Sequence, residues 1–243
     1  MNRRFLRYTP SGHIFISPKD NLDRVVDAMV DTNYREEFCI AVDFDPAFIA
    51  NLMAAGFLVM STALEEGRGD EKHAPTYILL PKLHLIRSVL FFPALHVKKS
   101  LRRQLSQYEL KVDTDFDRIL DRCAEVHGDE WLTSPLRQCF KVLHLHKGGT
   151  VRPISFGVYR NGELKAGEFG MAAGRVYTSY SGYYDEDSAG TVQMVLMTYY
   201  LRDAGFVFLD LGMPLDYKDQ LGAQNIDPQR FVAIFRQGRS GTW

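Results

Sequence analysis

Ile154-Ser155-Phe156-Gly157-Val158-Tyr159 runs into Arg160-Asn161-Gly162-Glu163 and returns as Leu164-Lys165-Ala166-Gly167-Glu168-Phe169-Gly170. Alternating apolar residues on both sides of an Asn-Gly pair predict a hairpin, because Asn and Gly accept the positive φ of a type I′ turn. Arg175 to Ser181 reads as a third strand. A helix follows over Thr191 to Asp203, where Val192, Met194, Val195, Met197 and Leu201, with the Tyr199-Tyr200 pair, give a wide apolar face. Ala204-Gly205 stops it, and Phe206-Val207-Phe208-Leu209-Asp210-Leu211 reads as a buried strand with one carboxylate near its C-terminal end.

Hairpin, strand, helix, strand is the core order of the GNAT acyltransferase fold. The expected class is therefore α+β: a GNAT-like mixed sheet flanked by helices, with a smaller N-terminal α/β domain. Outward from the core, Asn21 is placed to cap a helix through Met29, and Phe38 to Val42 reads as a short strand. Asp45-Pro46 opens another helix, with Asp at the cap and Pro in the first turn. The polar, glycine-containing stretch Glu65 to Lys72 reads as a domain boundary or surface loop, dividing the chain into 1–73 and 74–243. Strands are expected near 77–80 and 87–92, a helix over Lys98 to Leu105, a strand edge at 110–112 and helices over 116–125 and 136–146.

At 243 residues with 46% hydrophobic and 24% charged residues, the chain has the composition of a globular protein able to bury a large core. A formal net charge of -1 argues against a wholly basic surface but leaves room for a local basic stripe. Cys39, Cys123 and Cys139 show neither disulfide nor metal spacing and read as reduced and structural. No apolar run reaches the ~18 residues of a bilayer span, and the N-terminus lacks an apolar leader. A cytoplasmic protein is expected, with no membrane partner. His144 and His146 are two apart with no further ligand at metal spacing, so no metal is expected.

The segment Leu95-His96-Val97-Lys98-Lys99-Ser100-Leu101-Arg102-Arg103, followed by Asp113-Thr114-Asp115-Phe116, Cys123-Ala124 and Trp131-Leu132-Thr133, resembles the leucyl/phenylalanyl-tRNA–protein transferase family. That family carries a similar Leu-His-Ile-Ser-Arg-Ser-Leu-Arg-Lys segment ahead of a GNAT core. Asp45-Pro46 through Gly56-Phe57 matches upstream. Gly174-Arg175-Val176, Ala204-Gly205-Phe206, Leu209-Asp210 and Leu221-Gly222-Ala223 keep the family spacing downstream, so the likeness runs from about Ile40 to Phe231. Four family positions differ: an acidic residue becomes Tyr180, a Gln becomes Gly212, a Trp becomes Met60 and a His becomes Tyr217.

The resemblance implies an enzyme that moves a hydrophobic amino acid, of Leu or Phe type, from tRNA to the N-terminal amine of a protein starting with Lys or Arg. It implies Asp210, Tyr180 and Gly212 at the catalytic positions, and Trp131, Ser181, Tyr183, Met60 and Tyr217 around the aminoacyl group and terminal adenosine. Asp210 also has a second reading, as a cap accepting backbone bonds from the loop Leu211 to Pro214. Trp131 either stacks on a base or packs beneath a loop. Lys98, Lys99, Arg102 and Arg103 are spaced to project from one side of a helix, where a tRNA phosphate backbone would neutralise them; a solvated surface is the other reading.

The donor can be argued separately. Acetyl-CoA enzymes of this fold hold a pyrophosphate at the start of the helix that here follows Asp185-Glu186-Asp187-Ser188-Ala189-Gly190. Three carboxylates there oppose a pyrophosphate and suit a cationic group, such as a basic N-terminus. Aminoacyl-tRNA is then the donor substrate and no free cofactor is expected. Tyr180 and Gly212 leave two alternatives: an N-acyltransferase of the same fold with another donor, or an inactive tRNA- or protein-binding relative.

Overall fold

The Asn161-Gly162 turn forms as expected, with φ of 53° and 81°. It joins strands that, numbered in chain order with the rest, are β7 (Val151–Arg160) and β8 (Glu163–Ala173). The structure, a computed structural model, describes residues 5–64, 75–146 and 149–241. Glu65 to Lys72, read as a boundary or loop, lies outside the described residues. The other elements are β1 (Arg7–Tyr8), β2 (Ile14–Phe15), α1 (Leu22–Asp31), α2 (Pro46–Ala54), β3 (Leu58–Leu64), β4 (Thr76–Lys82), β5 (Arg87–Leu90), α3 (Lys99–Arg102), β6 (Glu109–Val112), α4 (Phe116–His127) and α5 (Ser134–Leu145). After the hairpin come β9 (Val176–Tyr184), α6 (Ala189–Asp203), β10 (Phe208–Asp210), α7 (Asp216–Gln220), β11 (Gln224–Ile226) and α8 (Pro228–Arg239).

The main sheet has the order β11-β5-β10-β9-β8-β7-β6. Only β9 and β10 run parallel, as a strand, helix, strand crossover requires; the other neighbours are antiparallel. The fold class is thus α+β, a GNAT-like mixed sheet flanked by helices. Helices cover both faces. On one, Val192, Val195, Met197 and Leu201 of α6 pack on the sheet, with Leu101 of α3 beside them. On the other, Phe116, Ile119, Phe140 and Phe169 join Phe231 and Phe235 of α8 in one cluster that also contains Val25 and Val26 of α1 and Ile49 and Leu52 of α2.

Capping follows the sequence where the expected residue has a free oxygen. Asn21 accepts from Arg24 N–H, and Asp45 from Ala47 N–H with Pro46 in the first turn. Asp115, at the N-cap of α4, accepts instead from the Tyr159 hydroxyl, and Asp113 takes Ser155 N–H at 2.9 Å. Residues 38–42 form only isolated bridges, Phe38 to Lys82 and Ala41 to Leu79, rather than a strand. Arg239 of α8 clamps both oxygens of Asp23 on α1 at 2.9 and 2.6 Å, and Arg236 reaches Asp27 at 2.7 Å. The first long helix is thereby tied to the last.

Candidate active site

β9 and β10 share a ladder over three pairs only, Val176–Phe208, Tyr177–Leu209 and Thr178–Asp210. Beyond them β9 continues through Ser179 to Tyr184, bonded on one side to β8 alone. β10 turns away through Gly212, whose φ of 70° favours glycine. A cleft at the carboxyl ends of parallel strands is where open sheets place ligands. A bulge falls at the same point: Phe169 pairs with Ser181 and Gly170 with Ser179, leaving Tyr180 outside the ladder.

On the α8 face, Asp210 is fully buried and holds four donors. Arg87 Nε and Nη2 each lie 2.7 Å from its two oxygens, Thr178 Oγ1 donates at 2.9 Å and Gly212 N–H at 3.0 Å. The Arg87 guanidinium lies over the Phe231 ring at 4.4 Å. Burial alone would raise the Asp210 pKa, but the Arg87 charge and then the hydrogen bonds outweigh it and hold the carboxyl below its ordinary value. Occupied lone pairs suit this group to fixing the turn and Arg87 more than to taking up a proton. His84 stands close by: a Cβ added to Gly212 would lie 3.8 Å from its Nε2. Burial, then Arg87 and Lys82, lower His84 to about 3, so its ring is neutral.

β3 draws several expected residues to this face. Leu58 Cδ1 would be 3.6 Å from a Cβ at Gly212. Val59 N–H donates to Tyr180 Oη at 2.9 Å, and Ser61 N–H to the Trp131 carbonyl at 2.9 Å. Met60 shares with Leu58 the less buried face of the strand. Asp210, Gly212, Tyr180, Met60 and Trp131 are thus gathered along one strand. Tyr180 is packed edge-on to Phe140 and tilted against Phe169, and burial raises its phenol pKa. Ser181 lies in the β8–β9 ladder, its carbonyl 3.5 Å from Cys123 Sγ. Tyr183, 4% exposed, sits apart under α4 beside Arg122.

The opposite face holds a group that sequence reasoning passed over. Glu168, on β8, is 2% exposed. Tyr177 Oη donates to one of its oxygens at 3.2 Å and Gln193 Nε2 of α6 to the other at 3.1 Å. Among the described residues no cation lies within 4 Å. Burial raises Glu168 to about 7, and the bonds from Ser179, Gln193 and Tyr177 offset only part of that. Tyr217, half exposed on α7, lies near enough for the Glu168 charge to add to the burial that raises its own pKa. Its neighbour Lys218 is buried and clamps the carbonyls of Leu211 and Met213 at 2.6 and 2.7 Å. Burial lowers that ammonium to about 8.

The basic segment differs from the expected helix. α3 is one turn, Lys99–Arg102, with Lys98 and Arg103 as caps. Lys98 offers no capping oxygen, and so short a helix forms only because Leu101 is buried against the α6 layer. All four cations are nevertheless exposed, and among the described residues no carboxylate lies within 4 Å of any. Lys98 Nζ donates to Gln220 at 3.2 Å and Arg102 Nε to the Val97 carbonyl at 3.2 Å. Lys98 thus meets the C-terminal end of α7, whose other end carries Tyr217, so this ridge lies on the Glu168 face. The acidic turn before α6 is less bare than its sequence: Asp185 pairs with Arg122 at 3.0 Å and Glu186 with Arg160 at 2.7 Å.

Among the described residues no three His, Cys, Asp or Glu side chains are grouped to hold a metal ion, and no helix is long and apolar enough to cross a membrane. The crystal structure of FemX aligns with 96% of this chain and 86% of its own, at TM-score 0.47 and 13% identity. A leucyl/phenylalanyl-tRNA–protein transferase of Pseudomonas putida strain W619 is 36% identical over 166 residues, 65% of this chain and 72% of the relative. The enzyme of the same name from Pseudomonas paraeruginosa is 32% identical over 158 residues, 63% and 68% of the two chains. The family model described as leucyl/phenylalanyl-tRNA protein transferase matches residues 89–236, a span that takes in the end of β5 from Val89, the basic ridge and the strands β9 and β10. By that match the chain belongs to the leucyl/phenylalanyl-tRNA protein transferase family.

Proposed function

We propose that this protein transfers a hydrophobic amino acid, of leucine or phenylalanine type, from the end of a tRNA to the α-amine of a protein that begins with Lys or Arg. The observation that carries the reading is the ridge of Lys98, Lys99, Arg102 and Arg103, exposed and with no carboxylate within 4 Å among the described residues. Four exposed cations whose charges no described carboxylate neutralises suit a phosphate backbone. In this reading Asp210, Tyr180 and Gly212 frame the reacting end, and Trp131, Ser181, Tyr183, Met60 and Tyr217 supply contacts around the aminoacyl group and terminal adenosine.

The donor ester is already activated, so the protein's work is to align an amine and manage its proton. No metal or free cofactor is needed for that, and the cytoplasm is where charged tRNA would be met. Asp187, at the turn before α6, has no cation within 4 Å among the described residues and is the acidic group open to a basic N-terminus. Purified protein incubated with leucyl- or phenylalanyl-tRNA should label a peptide starting with Lys or Arg and spare one starting with Ala. Absence of transfer from every hydrophobic aminoacyl-tRNA overturns the reading; equal labelling of the Ala peptide overturns its N-terminal specificity.

A further inference from the structure

Lys218 is a buried cation that the proposed function leaves unused. Its ammonium donates to the carbonyls of Leu211 and Met213 at 2.6 and 2.7 Å, so it grips the chain on both sides of Gly212. The backbone that carries it is itself fixed. Lys218 N–H donates to the Leu215 carbonyl at 2.9 Å, and the Lys218 carbonyl accepts Leu221 N–H at 3.1 Å and Ala223 N–H at 3.0 Å. The gripped turn is the one by which the chain leaves the C-terminal end of β10. Its other bonds run to β5 and back to Asp210: Leu211 N–H donates to the Ser88 carbonyl at 2.9 Å, Ser88 N–H to the Gly212 carbonyl at 2.7 Å and Gly212 N–H to Asp210 at 3.0 Å.

Holding a turn does not by itself call for a charge. Lys218 is 5% exposed, and among the described residues no carboxylate pairs with it. Burial lowers its pKa to about 8; the Asp210 charge favours the ammonium and Arg87 opposes it. A buried ammonium without a carboxylate partner subtracts from stability where an apolar stem would not. Its return is geometric, because two charge-assisted bonds from one nitrogen fix the carbonyls before and after Gly212.

We propose that Lys218 is a positioning residue of the transfer reaction, its ammonium setting the turn Leu211 to Met213 so that Asp210 and Gly212 keep their places at the reacting end. The role rests on the function proposed above. Lys218 acts through the turn and does not touch the substrate. With the clamp gone, the Gly212 carbonyl and N–H keep their bonds to Ser88 and Asp210, but the flanking carbonyls are free to rotate. Reacting groups displaced by about 1 Å can lose about a hundredfold in rate, so a small slackening here is enough.

The test compares Lys218→Met and Lys218→Arg in the full chain. Lys218→Met keeps an apolar stem and removes the charge and its donors. It should lower kcat about a hundredfold and change KM for aminoacyl-tRNA less than about threefold, since the ridge cations are untouched. Its urea midpoint should stay near that of wild type. Lys218→Arg keeps a cation with donors for both carbonyls and should recover most of the lost kcat. Amide hydrogen exchange adds a readout independent of turnover: in K218M the Leu211 and Gly212 amides should exchange at least about tenfold faster, while those of the β7–β8 hairpin keep their rates. An active wild type whose kcat survives in K218M, or whose turn amides are unchanged there, overturns the positioning role and leaves the proposed function standing. A K218M chain that unfolds earlier and exchanges faster throughout, without recovery in K218R, reduces Lys218 to a structural residue and overturns the role as well. A wild type that transfers nothing removes both the role and the function, while the exchange rates still report whether the ammonium holds the turn.

Discussion

Asp210 and Glu168 are two buried carboxyls on opposite faces of one sheet, and their environments pull them in opposite directions. Both meet the same desolvation, which favours the neutral acid. Asp210 is answered by a guanidinium at 2.7 Å and falls below its ordinary value; Glu168 is answered by a phenol and an amide and rises to about 7. Burial thus sets the cost, and the charge of the partner sets the sign. One group is made permanent and architectural, the other changeable near neutral pH.

The strongest way to break this contrast is to remove the cation. Arg87→Ala leaves Asp210 charged and unpaired in the core, and should lower stability by about 3–5 kcal/mol in urea unfolding. A loss below ~1 kcal/mol would mean that Arg87 does not hold Asp210 as described.

Next in size is the dependence of stability on pH. The folded state raises Glu168 from an ordinary 4.5 to about 7, so it binds the proton more tightly than the unfolded chain does. Its contribution is complete below about pH 4.5 and is lost as pH climbs through about 7, a change on the order of 3 kcal/mol. Wild type minus E168Q should show that fall. Asp210, lowered from 3.8, must give the opposite slope: its contribution is present above that value and is lost as acid is added. Parallel slopes for the two carboxyls would erase the distinction between the faces.

Gly212 offers a smaller probe of the Asp210 side. With φ of 70° and neighbours 3.6 Å or more away, Gly212→Ala meets backbone strain and no clash, so about 1 kcal/mol of stability should go. Smallest is the effect of single ridge cations on the Glu168 side. Lys99→Ala or Arg103→Ala should weaken tRNA binding less than tenfold and reduce the salt slope by roughly 0.9 each. Trp131→Ala, on the other face, should leave that slope unchanged.

Most of the framework could be read from the residues, because its signals are local. Asn161-Gly162 sets the hairpin, Asp45-Pro46 starts α2 and Gly205 follows α6. Both key carboxylate environments needed information that no local window holds. Arg87 and Asp210 are 123 positions apart, and nothing near either marks the pair. Glu168 stands where a half-solvated hairpin would show a polar residue to water, but α6 covers that face of the sheet and buries it. The expected helix over Lys98–Leu105 is longer than α3 because spacing of charges says nothing of the missing N-cap, and the acidic turn before α6 reads as bare because Arg122 and Arg160 approach it from distant parts of the chain.

The clamp between Asp23 and Arg239 joins positions 216 apart. During synthesis α1 leaves the ribosome long before α8 exists, so its acidic face waits in water and Val25 and Val26 wait for Phe231 and Phe235. The Phe231 ring under Arg87 arrives just as late. A nascent chain of this protein can therefore assemble its central hairpin early, yet it closes the shell around Asp210 only when the final helix has been made.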